Sequence, residues 1–158
     1  MFCVGDKIVH PMHGAGIVES IVQKKVNGVS REYYVLKLPV RSMLVMIPTD
    51  NCAEIGMRPI IDSNQADRIL SLLPTIEVDF DQNWNRRYRE KMERLKSGDL
   101  VEVARVIKGL TLRDSNRGLS TGERKMLHSA KEILISEIVL SQCVSYEDVE
   151  ERINMALA

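Results

Sequence analysis

The hydrophobic pattern of this chain changes period near Ile60, and that change limits the fold more than any other feature. Up to about residue 55 the apolar residues fall in short runs rich in β-branched and aromatic side chains: Lys7–Val9, Gly16–Val22, Tyr33–Leu38 and Met43–Ile47. Turn signals separate the runs, namely His10-Pro11-Met12-His13-Gly14, Asn27-Gly28 and Leu38-Pro39. Asn27-Gly28 between two such runs predicts a hairpin, because both residues tolerate positive φ. Short strands spaced roughly 10 residues apart predict a small, strongly bent antiparallel sheet or barrel.

Beyond Ile60 the apolar residues recur at helical spacing. Asp62 and Ser63 can cap a helix that runs to about Leu73, with Ile69, Leu72 and Leu73 inward and Pro74 closing it. Trp84, Tyr88, Met92 and Leu95 form one stripe of a second helix, stopped by Ser97-Gly98. Asp99 caps the next, whose apolar face is Leu100, Val103, Ala104, Ile107 and Leu110. Ser120 and Glu123 make a capping box before Met126, Leu127, Ala130, Ile133, Leu134 and Ile138. Ser145 opens a last helix with Val149, Ile153 and Leu157. The expectation is an α+β chain, with a β domain over 1–55 and an all-α bundle of about five helices over 60–158.

With 158 residues and 44% apolar content, the chain is long enough for two small cores. No apolar run reaches the roughly 20 residues that cross a bilayer, and the N-terminus lacks the cationic stretch of a signal peptide. Cys3, Cys52 and Cys143 are scattered, without a C-x-x-C pair, and read as reduced thiols acting as small buried hydrophobes. The expected address is the cytoplasm.

The formal net charge of zero conceals an asymmetry. Residues 85–131 carry 13 basic and 6 acidic side chains, net +7, whereas residues 132–158 carry 1 and 6, net −5. A basic middle suits an electrostatic footprint for nucleic acid; the bland alternative is a set of solvated helix faces laced with ion pairs. The single tryptophan, Trp84, lies in this region beside Arg86, Arg87, Tyr88 and Arg89. Guanidinium groups neutralise phosphates, and a flat ring can wedge between stacked bases. Two readings of Trp84 stay open: packing at the start of the helix, or a partly exposed ring at a helix N-terminus that favours phosphate.

Signals for catalysis are weak. His10-x-x-His13 has metal-like spacing, but Pro11 and Gly14 put it in a turn with no Cys, Asp or Glu cluster beside it, so a turn-stabilising role is expected. Gly14-Ala15-Gly16 lacks the lysine and helix of a phosphate loop. His128 has no identifiable partner, and Asp79 and Asp81 read as loop and cap residues. No enzyme activity, metal or cofactor is expected.

The motifs keep the order of a known family. Val4-Gly5-Asp6, Pro11-x-His13-Gly14, Glu32-Tyr33-Tyr34-Val35-Leu36, Asn83-Trp84-x-Arg86-Arg87-Tyr88, Ser97-Gly98-Asp99 and Arg117-Gly118-Leu119-Ser120-x-Gly122-Glu123-x-x-Met126-Leu127 resemble the CarD/CdnL bacterial transcription regulators. The N-terminal part also resembles the polymerase-interaction module of the transcription-repair coupling factor; the Asn83–Tyr88 and Arg117–Glu123 segments distinguish the two.

The resemblance implies a Tudor-like N-terminal domain that docks on the RNA polymerase β subunit and a helical domain that contacts promoter DNA with low sequence specificity. It implies that Trp84 wedges into the minor groove at the upstream edge of the transcription bubble and so stabilises the open promoter complex. Arg86, Arg87 and Arg89 match basic positions that hold the DNA backbone, and Arg124 with Lys125 match a second basic contact. Lys24 matches a docking position on the polymerase side. Met46 stands where some members have an arginine, which favours an apolar or main-chain contact through Val45, Met46 and Ile47. Strand Met43–Ile47 is expected either at a sheet edge, pairing with the β subunit, or as an ordinary interior strand. The further implications are a monomer, with a domain-swapped dimer as the alternative, and association with the nucleoid through polymerase. The rival classes are a protein–protein adaptor and a free-standing, non-specific DNA-binding protein.

Overall fold

The computed structural model describes residues 1–78 and 84–158; of residues 84–88 it describes the helical backbone but not the side chains. The first part is a five-stranded antiparallel sheet: β1 (Lys7–His10), β2 (Gly14–Val26), β3 (Val29–Leu38), β4 (Met43–Pro48) and β5 (Arg58–Pro59), in the order β4-β3-β2-β1-β5. Asn27 (φ 52°) and Gly28 (φ 78°) turn β2 into β3, with Val26 opposite Val29. The expected two-residue hairpin is therefore present. A bulge between Val18 and Ser20 breaks the β2–β3 register, which lets the long strand bend where β1 stops pairing with it.

Period-2 alternation gives the sheet two buried faces around β1 and β2. Ile8, Val18, Tyr34, Leu36, Leu38, Ile47 and Met57 close one small core. Val9 and Ala15 point the other way and meet Leu140. A single 3-10 turn (Thr49–Asn51) and the short helix α1 (Cys52–Ile55) lead from β4 towards β5. The turn, α1 and β5 carry no strong periodic signal, and the sequence reading left them out.

Five further helices follow: α2 (Ser63–Leu72), α3 (Trp84–Lys96), α4 (Leu100–Arg117), α5 (Thr121–Gln142) and α6 (Tyr146–Leu157). Their caps are those expected. Asp62 accepts from Gln65 N at 2.8 Å, Asp99 from Val101 N at 2.9 Å and Ser145 from Asp148 N at 3.1 Å. Ser120 and Glu123 form the reciprocal box. The helical core gathers Ile69, Leu73, Leu95, Ile107, Leu110, Leu134, Ile138, Val149 and Ile153, among others.

Two expectations need correction. Leu72 is exposed, and Ala66 and Leu70 join Ile69 inward instead, because the buried stripe of α2 runs through i, i+3 and i+4 from Ala66. The cysteines are not buried: Cys3 and Cys143 are exposed and Cys52 is half-buried. Cys143 sits at the C-cap of α5 with φ 54°, and that left-handed turn turns its side chain out of the core. Asp79 and Asp81, read as loop residues, lie outside the described residues. Among the described residues no helix is long and apolar enough to cross a membrane.

Candidate functional site

Among the described residues strand β4 is an edge, paired with β3 alone. The interior-strand alternative is thereby excluded. Met43, Leu44 and Met46 are 44%, 58% and 41% exposed, and Val45 is half-buried. Ile47 is buried in the sheet core, so only its main chain can meet a partner. A cleft of about 550 Å³ opens beside the strand, lined by Glu19, Lys37, Pro39, Ser42, Met43 and Leu44. Edges of natural sheets are usually blunted by lysine, bulges or a covering loop; β4 exposes three large apolar side chains and carries no charge. Lys24 is exposed, but on β2 opposite Arg31, beyond the Tyr33–Pro48 end of the β3–β4 ladder. The structure therefore separates Lys24 from Met43 and Leu44, and the nearer end of β4 is Ile47-Pro48. Arg31 at 3.0 Å from Asp50 ties the hairpin to the turn that follows β4.

The second candidate surface consists of helix starts. An α-helix N-terminus carries partial positive charge, so basic residues there lower stability unless an anion arrives. α4 and α6 obey the stability rule with Glu102, Glu147 and Asp148 in their first turns. α3 has no acidic residue in its first turn, which includes positions 86 and 87, both arginine. The side chains of Trp84, Arg86 and Arg87 lie outside those described, while Arg89 is exposed. In α5, Arg124 and Lys125 follow directly after the capping box and are both exposed. Glu123 is buried and does not neutralise them. Its Oε1 accepts from Ser120, and its Oε2 lies 3.1 Å from Arg113 Nε, an ion-pair contact whose N–H direction departs from that of a hydrogen bond.

Much of the basic excess between residues 85 and 131 has a structural use. Lys108 donates to the carbonyls of Pro74 and Ile76, and Arg105 to that of Glu77, fastening the segment after α2. Arg94 and Arg105 flank Glu102 at 3.4 and 3.5 Å. Some cations of the region thus lace helices together, as the ion-pair alternative expected, and others, including Arg89, Arg117, Arg124 and Lys125, face solvent.

The histidine pair behaves as a turn device. His10 Nδ1 accepts from Met12 N at 3.0 Å and from His13 N at 3.3 Å. Burial, with the nearby His13, holds His10 down at about 4, and burial with Arg41 lowers His13. Burial also raises the Cys52 thiol. Tyr146 is pushed above its ordinary value by burial and by its hydrogen bond to Glu132. Among the described residues no cluster of three or more His, Cys, Asp or Glu is placed to hold a metal.

Sequence reasoning missed the seam between sheet and helices. Glu137 is fully buried and takes Arg58 in a two-pronged ion pair, Nη1 to Oε2 at 2.7 Å and Nη2 to Oε1 at 2.8 Å. One signal was present: a lone glutamate within Ile133–Leu140, an otherwise almost wholly apolar run.

Two family models cover most of the chain. The CarD-like/TRCF RID domain matches residues 2–61, and the CarD C-terminal domain matches residues 68–154. YdeB of Bacillus subtilis (strain 168), by its name a candidate transcription factor, is 34% identical over 150 residues, spanning 95% of this chain and 98% of that protein. On this evidence the chain belongs to the CarD family of transcription regulators.

Proposed function

We propose that this regulator docks on the RNA polymerase β subunit through strand β4 and stabilises the open promoter complex with its basic helix starts. The observation that carries the reading is the uncovered apolar edge of β4, in a segment matched by the CarD-like/TRCF RID model. Main-chain pairing along Val45, Met46 and Ile47 supplies affinity, while Met43, Leu44 and Met46 supply apolar contact. Lys24 adds a charge beyond the Pro48 end. Arg86, Arg87, Arg89, Arg124 and Lys125 hold the DNA backbone, and Trp84 wedges at the upstream edge of the bubble. These contacts carry little base code, so sequence preference is low. The domains of the reading are 1–55 for polymerase and 60–158 for DNA.

A factor tethered to polymerase favours the melted promoter only by binding it better than the closed one. A preference of about 1.4 kcal/mol gives about a tenfold shift. The test measures open-complex lifetimes on a promoter with polymerase and the wild-type chain, Trp84→Ala, or Leu44→Asp with Met46→Asp. The wild type lengthens the lifetime. Trp84→Ala keeps polymerase binding and loses the lengthening; the edge variant loses both. A wild-type chain that binds polymerase without altering the lifetime refutes the mechanism, and an edge variant that still binds refutes the docking strand.

A further inference from the structure

We infer that Arg58 and Glu137 form a positioning clamp that fixes the β4 edge relative to α3 and α5. The inference rests on the functional reading above and concerns how its two surfaces are presented together. One guanidinium ties three separate pieces of chain. Arg58, in β5, grips Glu137 of α5 through both Nη atoms. Its Nε donates to the carbonyl of Gly98 at 3.0 Å, in the turn that ends α3, and Nη1 also donates to its neighbour's carbonyl, Pro59 O, at 3.1 Å. Glu137 answers from the other side, accepting from Ile61 N at 2.8 Å. Around this pair, Ala15 N donates to Ser136 Oγ at 2.9 Å and Lys7 Nζ to the Leu140 carbonyl at 3.3 Å. Three α5 residues within one and a half turns thus bind the sheet by directional bonds.

Apolar contact at the same seam is small: Val9, Ala15 and Leu140, with Ile17 and Ile60 beside them. Apolar surfaces tolerate sliding, whereas a planar fork on a carboxylate fixes both distance and direction. A buried ion pair adds little net stability compared with apolar residues of similar size, and its best-attested use is to specify an arrangement. Tethered binding at two surfaces gains only when the geometry lets both engage at once. Arg58 and Glu137 belong to neither surface, yet both surfaces hang on them.

The test replaces the pair together, Arg58→Met with Glu137→Met, in the full chain; an apolar pair avoids leaving a buried charge alone. Should the double variant lose its cooperative unfolding transition, Arg58→Lys, which keeps the charge and loses the fork, takes its place. Distances are measured by paired spin labels at Val29→Cys and Glu151→Cys, in chains with Cys3, Cys52 and Cys143 changed to alanine. The expected result is a broadened distance distribution, unchanged binding to polymerase alone, unchanged binding to free DNA, and an open-complex lifetime gain reduced about tenfold. A distribution as narrow as that of the wild type overturns the clamp. A broadened distribution with a full lifetime gain overturns its positioning role. If the wild type itself fails to lengthen the lifetime, the functional reading falls, and the distance measurement still decides the clamp.

Discussion

Gly14→Ala tests the sheet–α5 seam most directly. Gly14 has φ +91°, and a Cβ placed there lies 2.6 Å from Ser136 Oγ and 3.4 Å from the Ile133 Cα. The positive φ alone costs about 1–2 kcal/mol for a residue with a side chain. Ser136 cannot rotate away freely, because its hydroxyl donates to the Ile133 carbonyl at 2.7 Å and accepts from buried Ala15 N at 2.9 Å. Displacing it leaves that N–H unpaired, at about 1–3 kcal/mol. The sum is about 3 kcal/mol, or about 10 °C in Tm for a chain of this size. Gly28→Ala is the control: its φ is +78° and nothing lies within 4 Å, so strain alone applies. Ser136→Ala removes the same hydroxyl. It is expected to cost about 2 kcal/mol in the wild type and close to nothing in the Gly14→Ala background, a coupling that separated sites do not show. Urea unfolding followed by far-UV ellipticity reads all four variants. Gly14→Ala no worse than Gly28→Ala, or strict additivity with Ser136→Ala, refutes the close approach.

Three further outcomes follow from charge and burial. Arg124→Gln with Lys125→Gln should reduce the magnitude of the salt slope of DNA binding by about 2, at about 0.9 per phosphate; an unchanged slope in a titration from low to high salt removes these residues from the DNA contact. For His10, the native value is depressed from 6.5 to about 4, so its contribution is intact above pH 6.5 and is lost as pH falls towards 4. Discounted for a half-exposed ring, the loss is about 1 kcal/mol. His10→Asn retains an acceptor for the turn and should flatten that part of the pH profile in urea midpoints between pH 7 and 4.5; an identical profile contradicts the depressed value. Glu123→Ala strips the carboxylate half of the α5 capping box, the acceptor for Ser120 N and Oγ, and the contact to Arg113, and should cost about 2–4 kcal/mol by thermal unfolding; a loss below about 1 kcal/mol means that the buried carboxylate does neither.

Local signals were legible where one residue decides the geometry. Asn27-Gly28 dictates its turn, and Asp62, Asp99, Ser120 and Ser145 each cap the helix they precede, because a cap is a contact between residues two or three apart. The edge position of β4 was legible only as one of two alternatives: strand order depends on pairings between distant segments, which alternation does not encode. β5 was illegible for the same reason, being two residues whose only claim to be a strand is the partner Ile8-Val9. The cysteines misled because small and apolar reads as buried, whereas Cys143 falls where the helix turns left-handed. Among the candidate site residues, Arg124 and Lys125 were legible as basic and their exposure was not, since Arg113, 11 residues before Arg124 and on the preceding helix, is equally basic and is held by Glu123.

The seam and the cations proposed to contact DNA share one helix. Lys125 and Glu137 are both in α5, separated by about 18 Å at 1.5 Å per residue. A helix of this length is stiff, so any rocking at Glu137 is carried to its start. A rotation of about 10° about the seam moves Lys125 by about 3 Å, the length of one hydrogen bond to a phosphate. Apolar packing of a few side chains does not hold an angle that closely, whereas a bidentate guanidinium with a third bond to the Gly98 carbonyl does. The chain therefore places a buried ion pair, of little value to its stability, at the pivot where angular error costs most at the other end.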